Sequence, residues 1–324
     1  MSMQKFLVTG GSGFIGTNVV EHLISTGKYE VLNIDSVEPK NGSHRRYWKN
    51  VDIRDKAALV AAVAEFNPTY VLHLAARTDL MGTSVEDYDA NVAGVENLLC
   101  ALNGLKNLKR AVFTSSMLVC RVGYIPTHDE DYSPSTFYGE SKVKTETIIK
   151  KNNPAYCWSI IRPTSIWGPW FGVPYANFFK MILAHTYVNM GKEACTKTYG
   201  YIDNAVYQIM AIFAADEERV NSNVYYIGDY EPYNISEWAK EVGKEAGVYI
   251  PTVPFFLLQA AAFVGDVLKK IHIPFPMTSF RLKNMTTDNV VNTENIRKIA
   301  PNLPVSRIEG VARTVKWLRE QKNK

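Results

Sequence analysis

A glycine-rich turn, Thr9-Gly10-Gly11-Ser12-Gly13-Phe14-Ile15-Gly16, joins two stretches of different periodicity and leaves this 324-residue chain few folds to choose from. Before it, Lys5-Phe6-Leu7-Val8 is apolar, too short for a helix and bounded by glycine, so it reads as a buried strand. After it, Phe14, Ile15, Val19, Val20, Leu23 and Ile24 recur at helical spacing until Gly27 ends the pattern. Both Gly11-x-Gly13-x-x-Gly16 and Gly10-x-x-Gly13-x-x-Gly16 fit the spacings that let backbone N–H groups approach phosphate oxygens at a helix N-terminus. Strand, glycine turn and helix in this order predict a dinucleotide site, with Gly10, Gly13, Phe14, Ile15 and Gly16 among its cofactor contacts.

The next apolar run, Val31-Leu32-Asn33-Ile34, ends in Asp35, 19 residues past Gly16. A carboxylate there accepts ribose hydroxyls and repels a 2′-phosphate, which favours NAD over NADP. Arg45 and Arg46 lie nearby in the sequence as candidate contacts for a phosphate. Val71-Leu72-His73-Leu74 and Ala111-Val112-Phe113-Thr114 are further short apolar runs. Helical stretches separate them, among them residues 88–102, as a parallel sheet with crossovers requires. Ser115 and Ser116 fall at the end of one such strand, where the cofactor crevice lies. His73 ends another, and its expected role is structural.

Tyr138-Gly139-Glu140-Ser141-Lys142 carries the chemistry. A phenol with a pKa of about 10 is a poor base at neutral pH. Lys142, four residues on, shares a helix face with Tyr138 and is expected to favour the phenolate. A phenolate so tuned removes a proton from a substrate alcohol as hydride leaves the same carbon.

Together these motifs resemble the extended short-chain dehydrogenase/reductase family, in its NAD-dependent epimerase/dehydratase branch. The likeness rests on the TGGSGFIG turn, Asp35, Asp52-Ile53-Arg54-Asp55, His73-Leu74-Ala75-Ala76, Asn91, Thr114-Ser115-Ser116, Tyr138-x-x-x-Lys142 and Arg162-Pro163, in that order. It implies an α/β fold: a Rossmann-type doubly wound parallel sheet with a smaller C-terminal substrate lobe. Residues 1–164 plus about 201–228 would form the NAD-binding part, and about 165–200 and 229–324 the lobe. The resemblance implies that Asp52 and Ile53 cradle the adenine and that Ala75 and Ala76 line the pyrophosphate and nicotinamide ribose. Asn91 joins the cofactor set, and Lys142 also bonds that ribose. It further implies that Ser116, with Ser115, orients the substrate oxygen. Asn177, Lys197 and Arg281 become candidate partners of a substrate diphosphate. It also implies a homodimer through the helices at 88–102 and 138–151.

Within such a family the residues after Ser116 separate the reaction types. Dehydratases carry Asp-Glu there, decarboxylating relatives a glutamate two positions on, and epimerase-reductases a cysteine. This chain has Met117 and Leu118, neither of which moves a proton. The resemblance thus points to a nucleotide-sugar 4-epimerase working through a transient 4-keto sugar. The alternative is a simple dehydrogenase or reductase of a sugar, a sterol-like or another lipid alcohol. Three departures weigh on the nucleotide-sugar reading: Ser165 stands where asparagine is common, Lys197 where arginine is usual, and Val119-Cys120-Arg121 replaces Val-Tyr-Gly.

The net charge of +4 is mild and unclustered, so nucleic-acid binding has no electrostatic footprint. Cys100, Cys120, Cys157 and Cys195 lack metal-ligand or disulfide-framework spacing, and no metal is expected. No signal-peptide pattern precedes the first strand, and a cytoplasmic enzyme is expected. The loop Ile166–Gly172 offers aromatic rings that either stack on a ligand or pack the lobe. VPFFLLQAAAFVGDVL, residues 253–268, is strongly apolar but too short and interrupted to span a bilayer. The expectation is a helix buried in the lobe; its rival is a helix resting on a membrane surface, with Lys269 and Lys270 behind it.

Overall fold

The computed structural model describes residues 3–190, 194–270, 273, 275 and 277–322. Its first half alternates strands and helices: β1 (Gln4–Thr9), α1 (Phe14–Thr26), β2 (Tyr29–Asp35), β3 (Trp48–Asn50), α2 (Lys56–Phe66), β4 (Tyr70–His73), α3 (Asp89–Leu102), β5 (Arg110–Thr114), α4 (Phe137–Asn152) and β6 (Cys157–Pro163). The chain then makes β7 (Ser165–Trp167), α5 (Tyr175–Leu183), β8 (Thr196–Lys197), β9 (Tyr199–Tyr201), α6 (Ile202–Ala214), α7 (Glu217–Val220) and β10 (Asn223–Ile227). It ends with β11 (Tyr233–Asn234), α8 (Ile235–Ala246), α9 (Phe255–Lys270), α10 (Ser279–Thr286), α11 (Glu294–Arg297) and α12 (Arg307–Lys322).

Among the described residues, seven strands form one sheet in the order β10-β6-β5-β4-β1-β2-β3, every neighbouring pair parallel. The order reverses at β1, between β2 and β4, so the crevice for a ligand opens at the C-terminal ends of those strands. Burial on both faces explains the unbroken apolar runs of the strands. Phe6 and Val8 of β1 point into one core with Val19, Val20 and Leu23 of α1. Leu7 between them points into the other, with Leu59, Val63, Leu98 and Leu102 of α2 and α3. That alternation is the two-residue period of a strand.

The first of these cores continues without a break into the second half of the chain. Trp167 stacks on Phe179 at 5.6 Å and lies 5.1 Å from Trp238, and Phe178 stacks on Trp238 at 4.6 Å. Trp170 and Phe171 meet Trp317 of α12. The aromatics of 166–172 therefore pack the interior, and their first residues are strand, paired with β9 rather than looped. Tyr201 ends β9 and is the N-cap of α6, which packs back against α1.

The helix at 253–268 departs from expectation. Only Leu258, Ala262 and Gly265 of α9 are buried, while Phe256, Leu257, Phe263, Val264 and Val267 face outward. Burial fails because α10 covers a single side of α9. At Gly265 the returning backbone at Met277 lies too close for any Cβ, and Asp266 Oδ1 accepts the Ser279 amide at 3.1 Å.

Candidate active site

The glycine turn holds its shape by close approach. Gly10 has φ +75°, and a Cβ there would lie 2.5 Å from the Ala75 amide nitrogen, so only glycine lets β1 and β4 end side by side. Any Cβ on Gly16 would strike the Gly10 carbonyl, so the third glycine is what lets α1 start against the turn. Gly13 caps α1 without a side chain, and the first turn holds no acidic residue. The N-terminal amides of Phe14 and Ile15 are thus left to an outside anion rather than to a side-chain cap. Asp35, at the end of β2, accepts the Ser12 amide at Oδ2 and the Val37 amide at Oδ1, both at 3.0 Å. Burial pushes its pKa up, and those amides pull it back. Arg45, a candidate for a 2′-phosphate, instead pairs with Glu38 at 3.1 Å, and the Arg46 guanidinium lies 4.7 Å from the Tyr47 ring.

Asp52 and Ile53 follow β3 on the same side of the crevice. Arg54 holds the Asp52 carboxylate in a fork, with Nη2 at 2.6 Å, and lowers its pKa. Ile53 packs on α3 where Gly94 leaves no room for a Cβ. Ala75 and Ala76 stand partly exposed beyond β4. Asn91 is buried and spends its amide inside the protein. Its Oδ1 accepts Arg77 N at 2.8 Å, and its Nδ2 donates to Arg77 O at 3.1 Å and Ser141 Oγ at 2.9 Å. It therefore ties the loop after β4 to α4 beside Tyr138. His73 is wholly buried and bonded to Thr9 Oγ1 at 2.7 Å; burial first, then Lys142, pushes its pKa down to about 3. A neutral imidazole so held is a structural strut.

Tyr138 and Ser116 are brought together by one tight contact. Ser116 follows β5 and caps a short turn, its Oγ accepting Leu118 N at 3.1 Å. The Leu118 carbonyl sits so near Gly139 that a Cβ there would collide with it. Glycine in Tyr138-Gly139 thus lets α4 start against the Ser116 turn, while Thr136 Oγ1 caps α4 by accepting Gly139 N at 3.0 Å. Burial pushes the Tyr138 phenol up to about 12, and the Ser116 side chain beside it draws it back. Lys142 is buried one turn on, its Nζ donating to Thr114 O at 2.9 Å and lying 5.9 Å from the Tyr138 ring centre. Burial pulls its pKa down to about 8, against the opposing pull of Glu146. Next to this cluster, the buried hydroxyls of Thr114 and Ser115 have no hydrogen-bond partner among the described residues, as fits a place where a ligand's polar atoms enter.

Two supporting groups escaped the sequence reading. Glu146 and Arg162 form a fully buried ion pair, with Nε–Oε1 at 2.8 Å and Nη2–Oε2 at 2.7 Å, that locks α4 onto β6 one turn past Lys142. The i, i+4 spacing of Lys142 and Glu146 was the available signal. Tyr175 of α5 bonds Ser165 Oγ at 2.7 Å and crowds Tyr138 closely enough to push its pKa up. Nothing in the local sequence announces that contact.

The three diphosphate candidates are not gathered at one point. Asn177 stands on the exposed face of α5. Lys197 Nζ donates to the Asn284 carbonyl of α10 at 2.6 Å, one turn from Arg281, so β8 and α10 are tied together. Beyond α10, Asn289 reaches the Ser116 turn: its Oδ1 accepts Gly123 N at 3.0 Å, and its Nδ2 lies 3.9 Å from Met117 Sδ. Met117, the residue after Ser116, is thus packed under the segment that follows α10.

Comparison with known proteins agrees with this geometry. Residues 6–228 match the sequence pattern of the family described as NAD dependent epimerase/dehydratase. An N-acetyl-alpha-D-glucosaminyl-diphospho-ditrans,octacis-undecaprenol 4-epimerase of Escherichia coli O157:H7 is 28% identical over 97% of this chain and 95% of its own. A 3-beta-hydroxysteroid dehydrogenase of Mycolicibacterium neoaurum is 30% identical over 78% of this chain and 72% of its own. The fold matches a UDP-glucose 4-epimerase of Thermus thermophilus, solved with NAD, at TM-score 0.74 and 23% identity, over 98% of this chain and 99% of that one. The turn with its uncapped helix, the carboxylate at Asp35 and the Ser116–Tyr138–Lys142 cluster fit NAD, and the chain is an NAD-using enzyme that belongs to the NAD-dependent epimerase/dehydratase family.

Proposed function

We propose that the protein is a 4-epimerase of sugars carried on a diphosphate, nucleotide-sugars in the first instance. The observation that carries this reading is the company Ser116 keeps. Met117 and Leu118, in the turn that Ser116 caps, offer no acid or base. Tyr138 is then the proton-transferring group of the site, which suits hydride chemistry and neither elimination nor decarboxylation. When bound, NAD supplies a hydride acceptor that later returns the hydride to the same carbon. The phenolate of Tyr138 takes the C4 hydroxyl proton, and Ser116 holds that oxygen by a hydrogen bond. Lys142 anchors the cofactor ribose and adds positive charge to the site. After the 4-keto sugar turns over in the site, Tyr138 gives the proton back, so the substrate is isomerised with no net redox change. In this reading Gly10 to Gly16, Asp35, Asp52, Ile53, Ala75 and Ala76 contact the cofactor, while Asn91 sets the position of α4. Lys197 and Arg281 serve the diphosphate.

Incubation with UDP-glucose or UDP-N-acetylglucosamine, without added cofactor, should interconvert C4 epimers. Accumulation of NADH with a released ketone would instead establish a dehydrogenase. That second reading, a lipid-alcohol dehydrogenase, draws on the hydroxysteroid-oxidising relative and on the exposed apolar face of α9.

A further inference from the structure

We propose that the outward face of α9 is a docking surface for an anionic lipid bilayer. Phe256, Leu257, Phe263, Val264 and Val267 are 64, 48, 69, 48 and 46% exposed, large apolar side chains on a helix whose other side is already covered. At 100° per residue, Phe256, Leu257, Ala260, Phe263, Val264 and Val267 fall on one stripe about a third of the circumference wide, and no polar residue interrupts it. Past the helix end, Ile273 and Phe275 are exposed as well. A contiguous apolar surface of this kind marks an interaction site rather than ordinary scatter.

Charge selects the occupant. Between Val253 and Thr287 the only acidic residue is Asp266, which accepts the Ser279 amide at the start of α10 and lies near Lys269 and Lys270, so the stretch keeps an excess of positive charge. The same stretch carries Lys269, Lys270, Arg281 and Lys283, all exposed. A two-fold contact between copies through this face would bring two sets of basic residues together, with Asp266 the one acid that the stretch on each copy supplies. An anionic membrane surface answers them directly, and apolar side chains beside basic ones are the pattern of a helix lying in the interface. Among the described residues no helix is long and apolar enough to cross a bilayer, so α9 would lie on one.

The location links docking to the reaction. The other end of the α9–α10 hairpin is fastened to the site through Lys197 and Asn284, and through Asn289 beside Met117. A bilayer held by α9 would bring a lipid-borne substrate to the mouth of the crevice. This consequence rests on the function proposed above; the docking does not.

The test is flotation of the NAD-loaded protein with phosphatidylcholine vesicles, with and without phosphatidylglycerol. The protein should float with the phosphatidylglycerol vesicles and be released by high salt. A Phe256→Ser, Phe263→Ser, Val267→Ser variant should lose partitioning by about tenfold or more. Lys269→Glu with Lys270→Glu should lose the preference for the anionic lipid. Both variants change exposed positions and should keep NAD binding. No flotation of the wild type, or equal flotation of the serine variant, would overturn the proposal. So would a wild-type oligomer that the serine variant splits. Vesicle binding without epimerisation of any diphosphate-linked sugar would leave the docking standing and remove the epimerase reading.

Discussion

Replacing Lys142 by methionine should make the NAD-free protein more stable at neutral pH while abolishing turnover. Lys142 is buried, and its pKa falls from the ordinary 10.5 to about 8. At about 1.4 kcal/mol per pKa unit, holding the ammonium in the fold costs roughly 3 kcal/mol at pH 7. Methionine fills similar space without the charge. It also leaves the Thr114 carbonyl without its donor at 2.9 Å, a loss of about 1 kcal/mol or somewhat more. The net gain at pH 7 is therefore about 2 kcal/mol. Below pH 8 lysine is protonated both folded and unfolded, and the full penalty applies. Between 8 and 10.5 the folded lysine gives up its proton before the unfolded one, so the wild type recovers stability as pH rises. Above 10.5 the penalty is gone, and the methionine variant should be the less stable by the lost hydrogen bond. Urea unfolding of both proteins at pH 7 and at pH 10.5 measures the difference, since other groups titrate alike in each. A methionine variant destabilised at pH 7, or a difference that does not change with pH, would refute the account.

Tyr138→Phe should lower kcat by about 10²- to 10⁴-fold while NAD is retained, measured by sugar turnover and cofactor titration. In the proposed mechanism the phenolate is the active form, and burial lifts the Tyr138 phenol to about 12, so wild-type rates should climb with pH across the neutral to alkaline range. Glu146→Gln leaves Arg162 charged and unpaired in the interior and should cost about 3–5 kcal/mol in urea unfolding; joint replacement of both by apolar residues should cost less. Gly139→Ala should push α4 off the Ser116 turn, with kcat falling more than NAD affinity.

The cofactor half was legible early because its requirements are local. A glycine that must let two strand ends meet, an uncapped helix start and a carboxylate closing the next strand all leave marks within a few dozen residues. The parallel order of the sheet followed from apolar runs that tolerate burial on both faces. Ser116 and Tyr138 were readable as residue types, but their juxtaposition depends on Gly139 lying against Leu118, a contact between separate elements. The sequence alone determined the sheet, the dinucleotide turn and the type of chemistry, because short-range sterics and periodicity encode them. Only the tertiary structure decided that Lys142 bonds Thr114 and that Glu146 pairs with Arg162. It also decided that the aromatics near Trp167 fill the core and that one face of α9 lies open. Burial is a property of what the rest of the chain places alongside a residue, and an apolar helix reads the same whether or not a neighbour covers it.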